Sequence, residues 1–210
     1  RIAWAAGLAA ASVLERARRT GADAIALCVE GPAAQEAFLR AARAGATAVP
    51  VACVFLPGRP LAAWPDDARG GWWPAAWHPA LFRYGAEQLN ARFRQRTGRP
   101  MDTRAWAAWM AVRAATETAL RARTTEARAL ARALLDARTE FDGHRGIALS
   151  FRDADRQLRQ PVYVLAPDED APDRLRVAAT MPPGEPGPDV PSRTFLDRLG
   201  APPPGARCEG

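Results

Sequence analysis

The apolar positions in the first third of the chain repeat with helical and strand-like periods in turn. A helical stretch runs to about Thr20, and Gly21 follows it as a C-terminal stop. The short apolar run 24–29 is typical of a buried parallel strand. Gly31-Pro32 then opens a helix that ends at Gly45, and a second strand follows at 49–55. Strand, helix and strand within about thirty residues predict a βαβ unit with a parallel sheet and a right-handed crossover.

Both predicted helices show one apolar face. In the first helix the face is formed by Leu8, Ala11, Leu14 and Ala17. In the second helix it is formed by Ala34, Ala37, Phe38 and Ala41.

The rest of the chain is predicted to be a loop, three helices, two strands and a tail. Residues 56–78 form the loop, which is rich in Pro, Gly and Trp. The first of the three helices begins near Pro79, the second follows Asp102 or Thr103 as N-cap, and the third begins at Thr124 or Thr125. The apolar stripe of the first is Phe82, Ala86, Leu89 and Phe93. Strands are predicted at 147–151 and 161–165. Beyond residue 166 lie ten of the 19 prolines, which predicts a mostly disordered tail with a short strand near 175–178.

The charge pattern argues against a polyanionic partner. The formal net charge is +6, and all 29 basic residues are Arg. These residues are scattered: Arg92, Arg94 and Arg96 lie two apart on a predicted helix and fan around it. We therefore expect a solvated surface and no nucleic-acid partner. The absence of Lys also excludes Schiff-base chemistry and a phosphate-binding P-loop, since both need an amine.

No residues in the sequence are arranged for covalent catalysis. The two histidines are His78 and His144, and no Ser lies in a GxSxG motif. His144 is predicted to be an exposed turn residue, whereas His78 precedes a Pro at a helix start and either caps the helix or faces a ligand. With no Cys/His cluster, the sequence predicts no zinc site. We expect a non-enzymatic protein without a metal or a cofactor.

The three cysteines leave the cellular compartment open. Cys28, Cys53 and Cys208 lack metal-ligand or CxxC spacing. Cys28 and Cys53 lie in apolar runs and are predicted to be buried thiols. A disulfide between these two residues on neighbouring strands is the alternative.

The first residues resemble a signal-peptide core but are better explained as a helix. The apolar run 2–14 follows Arg1 and is too short to span a membrane. It continues without a break into Glu15, Arg16 and Arg18, as an amphipathic helix would. We interpret it as a helix that belongs to a longer protein.

Two stretches resemble the leucine/isoleucine/valine-type periplasmic binding proteins. Residues 21–45 read GADAIALCVEGPAAQEAFLRAARAG and resemble the second lobe of that family. Residues 77–100 read WHPALFRYGAEQLNARFRQRTGRP and are similar to the family's FxxRFxxxxGxxP helix, which residues 101–120 follow as the next family helix does. Residues 141–161, FDGHRGIALSFRDADRQLRQP, resemble a subgroup encoded with pyrroloquinoline-quinone-dependent alcohol dehydrogenases. Residues 195–200 and Cys208 fit that subgroup too.

The resemblance implies an α/β fold: a parallel-sheet βαβ lobe of a two-lobed type I periplasmic binding protein, present as a fragment. In that family two lobes clamp a solute, and the chain crosses between them three times. Residues 1–76 would be part of the second lobe, and 77–138 a helical segment that packs on the first lobe. Residues 139–180 would be hinge-crossing strands that return to the second lobe, and 181–210 a Pro-rich tail.

Six residues are candidate ligand contacts under this resemblance. They are Glu30, Phe55, Trp77, His78, Arg104 and Trp106. Glu30 follows the first strand at a ligand-facing position of the family, and Phe55 ends the second strand. A cleft protein of this kind needs such groups at the carboxyl ends of parallel strands. The alternatives are a plain loop acid for Glu30 and core packing for Phe55.

The other four candidates lie around the predicted helices. Arg104 and Trp106 lie where the family presents an aromatic residue to the ligand, and an Arg beside a Trp can clamp and stack on a planar carboxylated solute. The alternative for both is packing at a helix start. Trp77 and His78 would line the mouth of the cleft, with packing or capping as the alternative.

The resemblance implies capture of a small polar solute in the periplasm for an ABC-type importer, by lobe closure. The favoured solute is pyrroloquinoline quinone or a related metabolite of alcohol oxidation. The implied partners are this small molecule, a membrane permease and a pyrroloquinoline-quinone-dependent dehydrogenase system. Two alternatives stay open: a ligand-sensing or regulatory domain of the same fold, and an accessory protein of the dehydrogenase system.

Overall fold

The chain folds into two compact units, and the computed structural model describes residues 9–45, 49–57 and 60–200 of it. Unit 1 comprises the residues up to Ala75 together with Val164–Ala179. Unit 2 comprises Ala76–Tyr163 and the residues from Thr180 onward. The chain therefore passes between the units three times. Leu8 and Cys208 lie outside the described residues, and the assignment of segments to a first or a second lobe stays a prediction.

The described residues contain six α-helices and eight strands. The helices are α1 (Ala10–Thr20), α2 (Pro32–Ala44), α3 (Ala86–Thr97), α4 (Thr103–Ala122), α5 (Ala127–Leu135) and α6 (Ser192–Leu196). The strands are β1 (Ile25–Leu27), β2 (Val51–Cys53), β3 (Trp73–Ala75), β4 (Phe141–Asp142), β5 (Ala148–Phe151), β6 (Leu158–Arg159), β7 (Val162–Pro167) and β8 (Leu175–Met181). This mixture confirms the predicted α/β class.

Unit 1 contains the predicted βαβ unit. β1 and β2 pair in parallel, with Ile25 opposite Val51, and α2 connects them. Gly21 ends α1 in the left-handed conformation, with a φ of 60°. The backbone of Trp72 bonds to both ends of β2, and β3 continues into a sheet of order β3-β7-β8. The parallel pairing predicted from the apolar runs is confirmed.

The segment predicted as a Trp-rich loop is more ordered than expected. It contains two 3-10 helices, Leu61–Ala63 and Asp66–Ala68, and the strand β3. Trp64 and Trp73 are both buried and meet edge to face, with ring centroids 6.2 Å apart. These indoles give the segment its own apolar core, which explains why it is not an open loop.

The buried face of α2 differs from the predicted one. The pattern predicts Ala34, Ala37, Phe38 and Ala41, whereas the structure buries Gln35, Glu36, Phe38, Leu39 and Ala42. The helix is rotated because the Gln35 side chain turns inward and bonds to backbone carbonyl groups. A pattern of apolar positions cannot predict a face that includes a buried polar side chain.

Unit 2 packs its helices and a small antiparallel sheet around one apolar cluster. The cluster contains Trp77, Ala86, Met101, Trp106, Met110, Ala114, Phe141, Leu149, Phe195 and Leu196. β4 and β6 pair with the two sides of β5. α4 begins as predicted, because the Asp102 carboxylate accepts a hydrogen bond from the Ala105 N–H at 2.8 Å.

Two helices of unit 2 begin later than the sequence predicts. α3 begins at Ala86 and not near Pro79, because Tyr84 and Gly85 adopt positive φ values of 57° and 81°. Phe82, which the pattern places on the apolar stripe, is consequently 67% exposed.

The second late helix, α5, follows a cap that the sequence does not predict. It begins after Glu126 rather than after Thr124 or Thr125. The Glu126 carboxylate accepts hydrogen bonds from the N–H groups of Arg128 and Ala129, at 2.9 and 2.6 Å. These backbone bonds lower the pKa of that carboxyl group.

The prediction of a mostly disordered tail is wrong for residues 167–200. β8 is longer than the predicted strand, and α6 follows it. Phe195 and Leu196 on α6 are buried in the apolar cluster of unit 2. The prolines lie mainly between these elements, so a high proline content is compatible with an anchored segment.

Cys28 and Cys53 differ in exposure because successive side chains along a strand lie on opposite faces of the sheet. Cys53 on β2 is paired with Leu27 of β1, and Cys28 is the residue that follows Leu27. Cys53 is fully buried, and burial raises the pKa of its thiol to about 11. Cys28 is exposed, so the prediction that it is buried is wrong. Both thiols are free, so the alternative of a disulfide between them is not realised.

Candidate functional site

One buried side chain joins the carboxyl ends of β1 and β2. Gln35 Nε2 donates to the carbonyl of Val29 at 3.3 Å and to the carbonyl of Phe55 at 3.1 Å. Val29 lies just after β1 and Phe55 just after β2, so the amide fixes the spacing of the two segments. Trp73 Nε1 donates to Gln35 Oε1 at 3.5 Å. Gln35 therefore has partners for both ends of its amide and acts as a brace.

We call the carboxyl ends of β1 and β2, where Gln35 holds the carbonyls of Val29 and Phe55, the braced edge. Two of the candidate contacts lie on this edge and face solvent. Glu30 directly follows Val29 and is exposed. Phe55 is 42% exposed although its carbonyl is held by Gln35. An acid and an aromatic surface at the open end of parallel strands are the groups that a solute site at a sheet edge uses. Ligand contact by Glu30 and Phe55 stays a prediction.

Trp77 and Trp106 lie instead inside unit 2. They are 2% and 1% exposed, and their rings stack 5.8 Å apart at an angle of 9°. Trp77 Nε1 donates to Asn90 Oδ1 at 2.8 Å, and Trp106 Nε1 donates to the carbonyl of Gly143 at 3.2 Å. Both indoles are thus packed and hydrogen-bonded within the protein. The packing alternative accounts for their positions.

The cation that stacks on Trp106 comes from the protein itself. The Arg145 guanidinium lies 4.8 Å from the Trp106 ring centroid and 4.6 Å from that of Tyr163. It donates to Gln160 Oε1 at 2.7 Å and also to the carbonyl of Pro161. Burial lowers the pKa of Arg145 from its ordinary value. Arg145 therefore stacks on the Trp106 ring, where a planar ligand was predicted to stack.

His78 forms a hydrogen bond with a neighbouring backbone group, whereas Arg104 is exposed to solvent. His78 is half-buried, its Nδ1 accepts a hydrogen bond from the Ala80 N–H at 3.2 Å, and burial lowers its pKa. This contact matches the capping alternative. Arg104 is exposed on the first turn of α4. A ligand contact by either residue stays a prediction.

Sequence reasoning missed Gln35 and Arg145, the two polar side chains that organise these regions. Gln35 lies in an Ala-rich helix near the carboxyl end of a strand, and a polar residue there is a weak signal for a brace. Arg145 is one of 29 basic residues, all Arg, and nothing local marks it as buried. Its partners Trp106 and Tyr163 are distant in sequence, so only the fold shows the contact.

The described residues supply neither an evident metal site nor a membrane span. Within residues 9–45, 49–57 and 60–200, no group of three or more His, Cys, Asp or Glu side chains is placed to hold a metal ion. None of the helices in the same ranges is long and apolar enough to cross a membrane.

Three solved structures show the same fold. A leucine-binding protein from Thermotoga maritima is 13% identical, with a TM-score of 0.60, and the match covers 86% of this chain and 51% of that one. A branched-chain amino acid ABC transporter periplasmic ligand-binding protein from Burkholderia xenovorans is 16% identical (TM-score 0.65), with 88% and 48% covered. A solute-binding protein of an ABC transporter from Rhodopseudomonas palustris, solved with 3,4-dihydroxybenzoic acid, is 15% identical (TM-score 0.52), with 79% and 47% covered.

The sequence itself matches one family. The chain spans about half the length of the similar structures. Among curated protein sequences, none matches it significantly. The family described as periplasmic binding protein matches residues 6–172, which is most of the chain. The chain therefore belongs to the periplasmic binding protein family.

Proposed function

We propose that this chain is part of the solute-binding component of an ABC-type importer, which captures a small polar solute in the periplasm by closure of two lobes. Membership of a periplasmic binding protein family supports a small-molecule-binding role. The similar structures include ABC transporter components, which supports a membrane permease as the partner. These relatives are binding proteins, consistent with the expectation that the chain is not an enzyme.

The braced edge of unit 1 is the observation that carries this proposal. The carboxyl ends of β1 and β2 are held at a fixed spacing by Gln35, while Glu30 and Phe55 next to them remain exposed. A rigid backbone with free polar and aromatic side chains is pre-organised for a ligand. Glu30 can accept a hydrogen bond from an N–H of the solute, and Phe55 can pack on a flat ring.

The solute that we propose is pyrroloquinoline quinone or a related metabolite of alcohol oxidation. Support comes from residues 141–161, which resemble the subgroup encoded with the corresponding dehydrogenases. Further support is chemical. The similar structures include one named for leucine and one solved with 3,4-dihydroxybenzoic acid, and both compounds carry a carboxylate, as the quinone does. A dehydrogenase system is the further partner under this proposal.

Calorimetric titration of the complete gene product tests the proposal. The solutes are pyrroloquinoline quinone, leucine and 3,4-dihydroxybenzoate. We expect the quinone to bind, and Glu30→Gln and Phe55→Ala each to weaken binding by about tenfold, the loss of one good contact. Asp23→Asn is the matched control, because Asp23 is an exposed acid ahead of β1 and should leave the affinity unchanged.

Each other outcome removes a defined part of the proposal. Binding of leucine or the benzoate without the quinone rejects the favoured solute alone. An equal loss in Asp23→Asn rejects the braced edge as the site. No affinity for any of the three solutes, together with co-purification of a dehydrogenase, supports the accessory-protein alternative and contradicts solute capture.

A further inference from the structure

A cavity of about 390 Å³ lies within unit 2, against α3 and α4. Its apolar side is formed by Leu89, Phe93, Met101 and Trp109, and its basic side by Arg92, Arg96 and Arg113. None of the residues that line it is acidic. The volume lies in the range of small-molecule pockets, about 300–1,000 Å³. The cavity therefore combines three cations with an apolar, partly aromatic wall.

Two of these cations have no partner within the described chain. Arg92 and Arg96 are four residues apart on α3, so they share one side of the helix about 6 Å apart along its axis. Both are exposed, and neither side chain forms a hydrogen bond or ion pair with another described residue. Arg94 lies between them in sequence and does not line the cavity. Two unpaired cations therefore line the cavity.

The third cation is held in place by its neighbours. Arg113 Nε donates to Glu117 Oε1 at 2.6 Å, and its guanidinium lies 5.2 Å from the Trp109 ring centroid. His144 Nδ1 lies 3.0 Å from the carbonyl of Tyr84, and a carbonyl can only accept, so Nδ1 carries the proton. Nε2 of His144 is then free to accept from Arg113 Nη1 at 3.4 Å.

This fixed wall depends on a glycine at the cavity rim. A Cβ on Gly85 would lie 2.8 Å from His144 Nδ1, and the φ of Gly85 is 81°. The His144 ring also stacks on Trp109, with centroids 5.5 Å apart. Arg113, His144 and Trp109 therefore hold one another in place at the cavity, whereas the side chains of Arg92 and Arg96 are not held.

We propose that this cavity binds a planar aromatic dicarboxylate. The two carboxylates pair with Arg92 and Arg96, and the ring lies against the apolar side near Phe93 and Leu89. A monocarboxylate leaves one cation unpaired, and an aliphatic dicarboxylate does not use the apolar wall. The proposal does not rest on solute capture at the braced edge, since every lining residue belongs to unit 2 and Glu30 and Phe55 belong to unit 1.

Titration of the complete gene product with naphthalene-2,6-dicarboxylate at low ionic strength tests this site. Naphthalene-2-carboxylate and adipate are the comparison ligands, since each lacks one of the two features. We expect the dicarboxylate to bind about tenfold more tightly than either comparison ligand, as measured by calorimetry. Absence of binding overturns the proposal, and so does equal affinity for adipate.

Matched substitutions on α3 separate a site from general attraction by a basic chain. Arg92→Gln and Arg96→Gln should each weaken dicarboxylate binding by about tenfold. Arg94→Gln removes the same charge from the same helix and should leave the affinity within about twofold. An equal loss in all three variants overturns the proposal. Binding of an acidic peptide without binding of the dicarboxylate also overturns it and assigns the cavity to a protein contact.

Discussion

Gln35 links three segments of unit 1 through one amide group. It bonds to the carbonyls that follow β1 and β2 and accepts from the Trp73 indole, and it is fully buried. The Trp73 indole is fully buried, so its N–H cannot regain a partner from water if Gln35 is lost. The brace therefore serves both the stability of unit 1 and the geometry of its open edge.

Replacing Gln35 by an apolar residue of similar size should destabilise unit 1. Gln35→Leu leaves two carbonyls and one indole N–H without this partner, and we expect a loss of about 1–3 kcal/mol in the free energy of unfolding. Urea unfolding followed by tryptophan fluorescence measures it. Gln95→Leu is the control, because Gln95 is exposed on α3 and its replacement should change stability by less than about 0.5 kcal/mol. Equal losses would show that the brace does not matter.

The exposure of a side chain was predictable only where the local sequence decides it. Glu30 and Phe55 are exposed because they follow the strand ends of a βαβ unit, which the apolar runs already indicate. Trp77 and Trp106 have the same aromatic character, but their burial depends on Asn90 and on other distant partners. A lone sequence does not show such contacts, so it cannot separate a packed indole from one that binds a ligand.

The ends of helices were likewise predicted correctly where nearby residues set them, and missed where residues distant in sequence set them. The cap of α4 by Asp102 and the stop of α1 at Gly21 are local and were predicted correctly. The late start of α3 follows from the left-handed conformations of Tyr84 and Gly85, and both residues lie against the ring of His144, which is distant in sequence. α6 was missed because its stability comes from the cluster of unit 2 and not from its five-residue sequence.

The anchoring of α6 can be tested with two phenylalanines of unit 2. Phe195 is 5% exposed within the apolar cluster, so Phe195→Ala should cost about 3–5 kcal/mol of unfolding free energy. Phe82→Ala removes the same group from an exposed position and should change stability by less than about 0.5 kcal/mol. Thermal unfolding by circular dichroism compares them. If Phe195→Ala lowers the free energy of unfolding no more than Phe82→Ala does, α6 does not anchor residues 181–200 to unit 2.

At the scale of the whole molecule, the sequence was sufficient for the fold class and the family. Parallel βαβ pairing and the family match both support a periplasmic binding protein, and the chain spans about half the length of similar structures. The identity of the solute is harder to predict from the sequence, because recognition depends on a few side chains rather than on the overall pattern of the chain. The two units offer separate tests: a braced edge with Glu30 and Phe55, and a basic cavity with Arg92 and Arg96.

Solute capture without chemistry is best measured by equilibrium dialysis of the complete gene product against pyrroloquinoline quinone, leucine and 3,4-dihydroxybenzoate, followed by mass spectrometry of the retained compounds. We predict that the protein retains one of the three solutes, the quinone, and releases it with its mass unchanged on denaturation. Glu30→Gln should lower the retained amount. Recovery of a chemically altered compound, or retention of none of the three, would contradict a protein that binds its solute and leaves it intact.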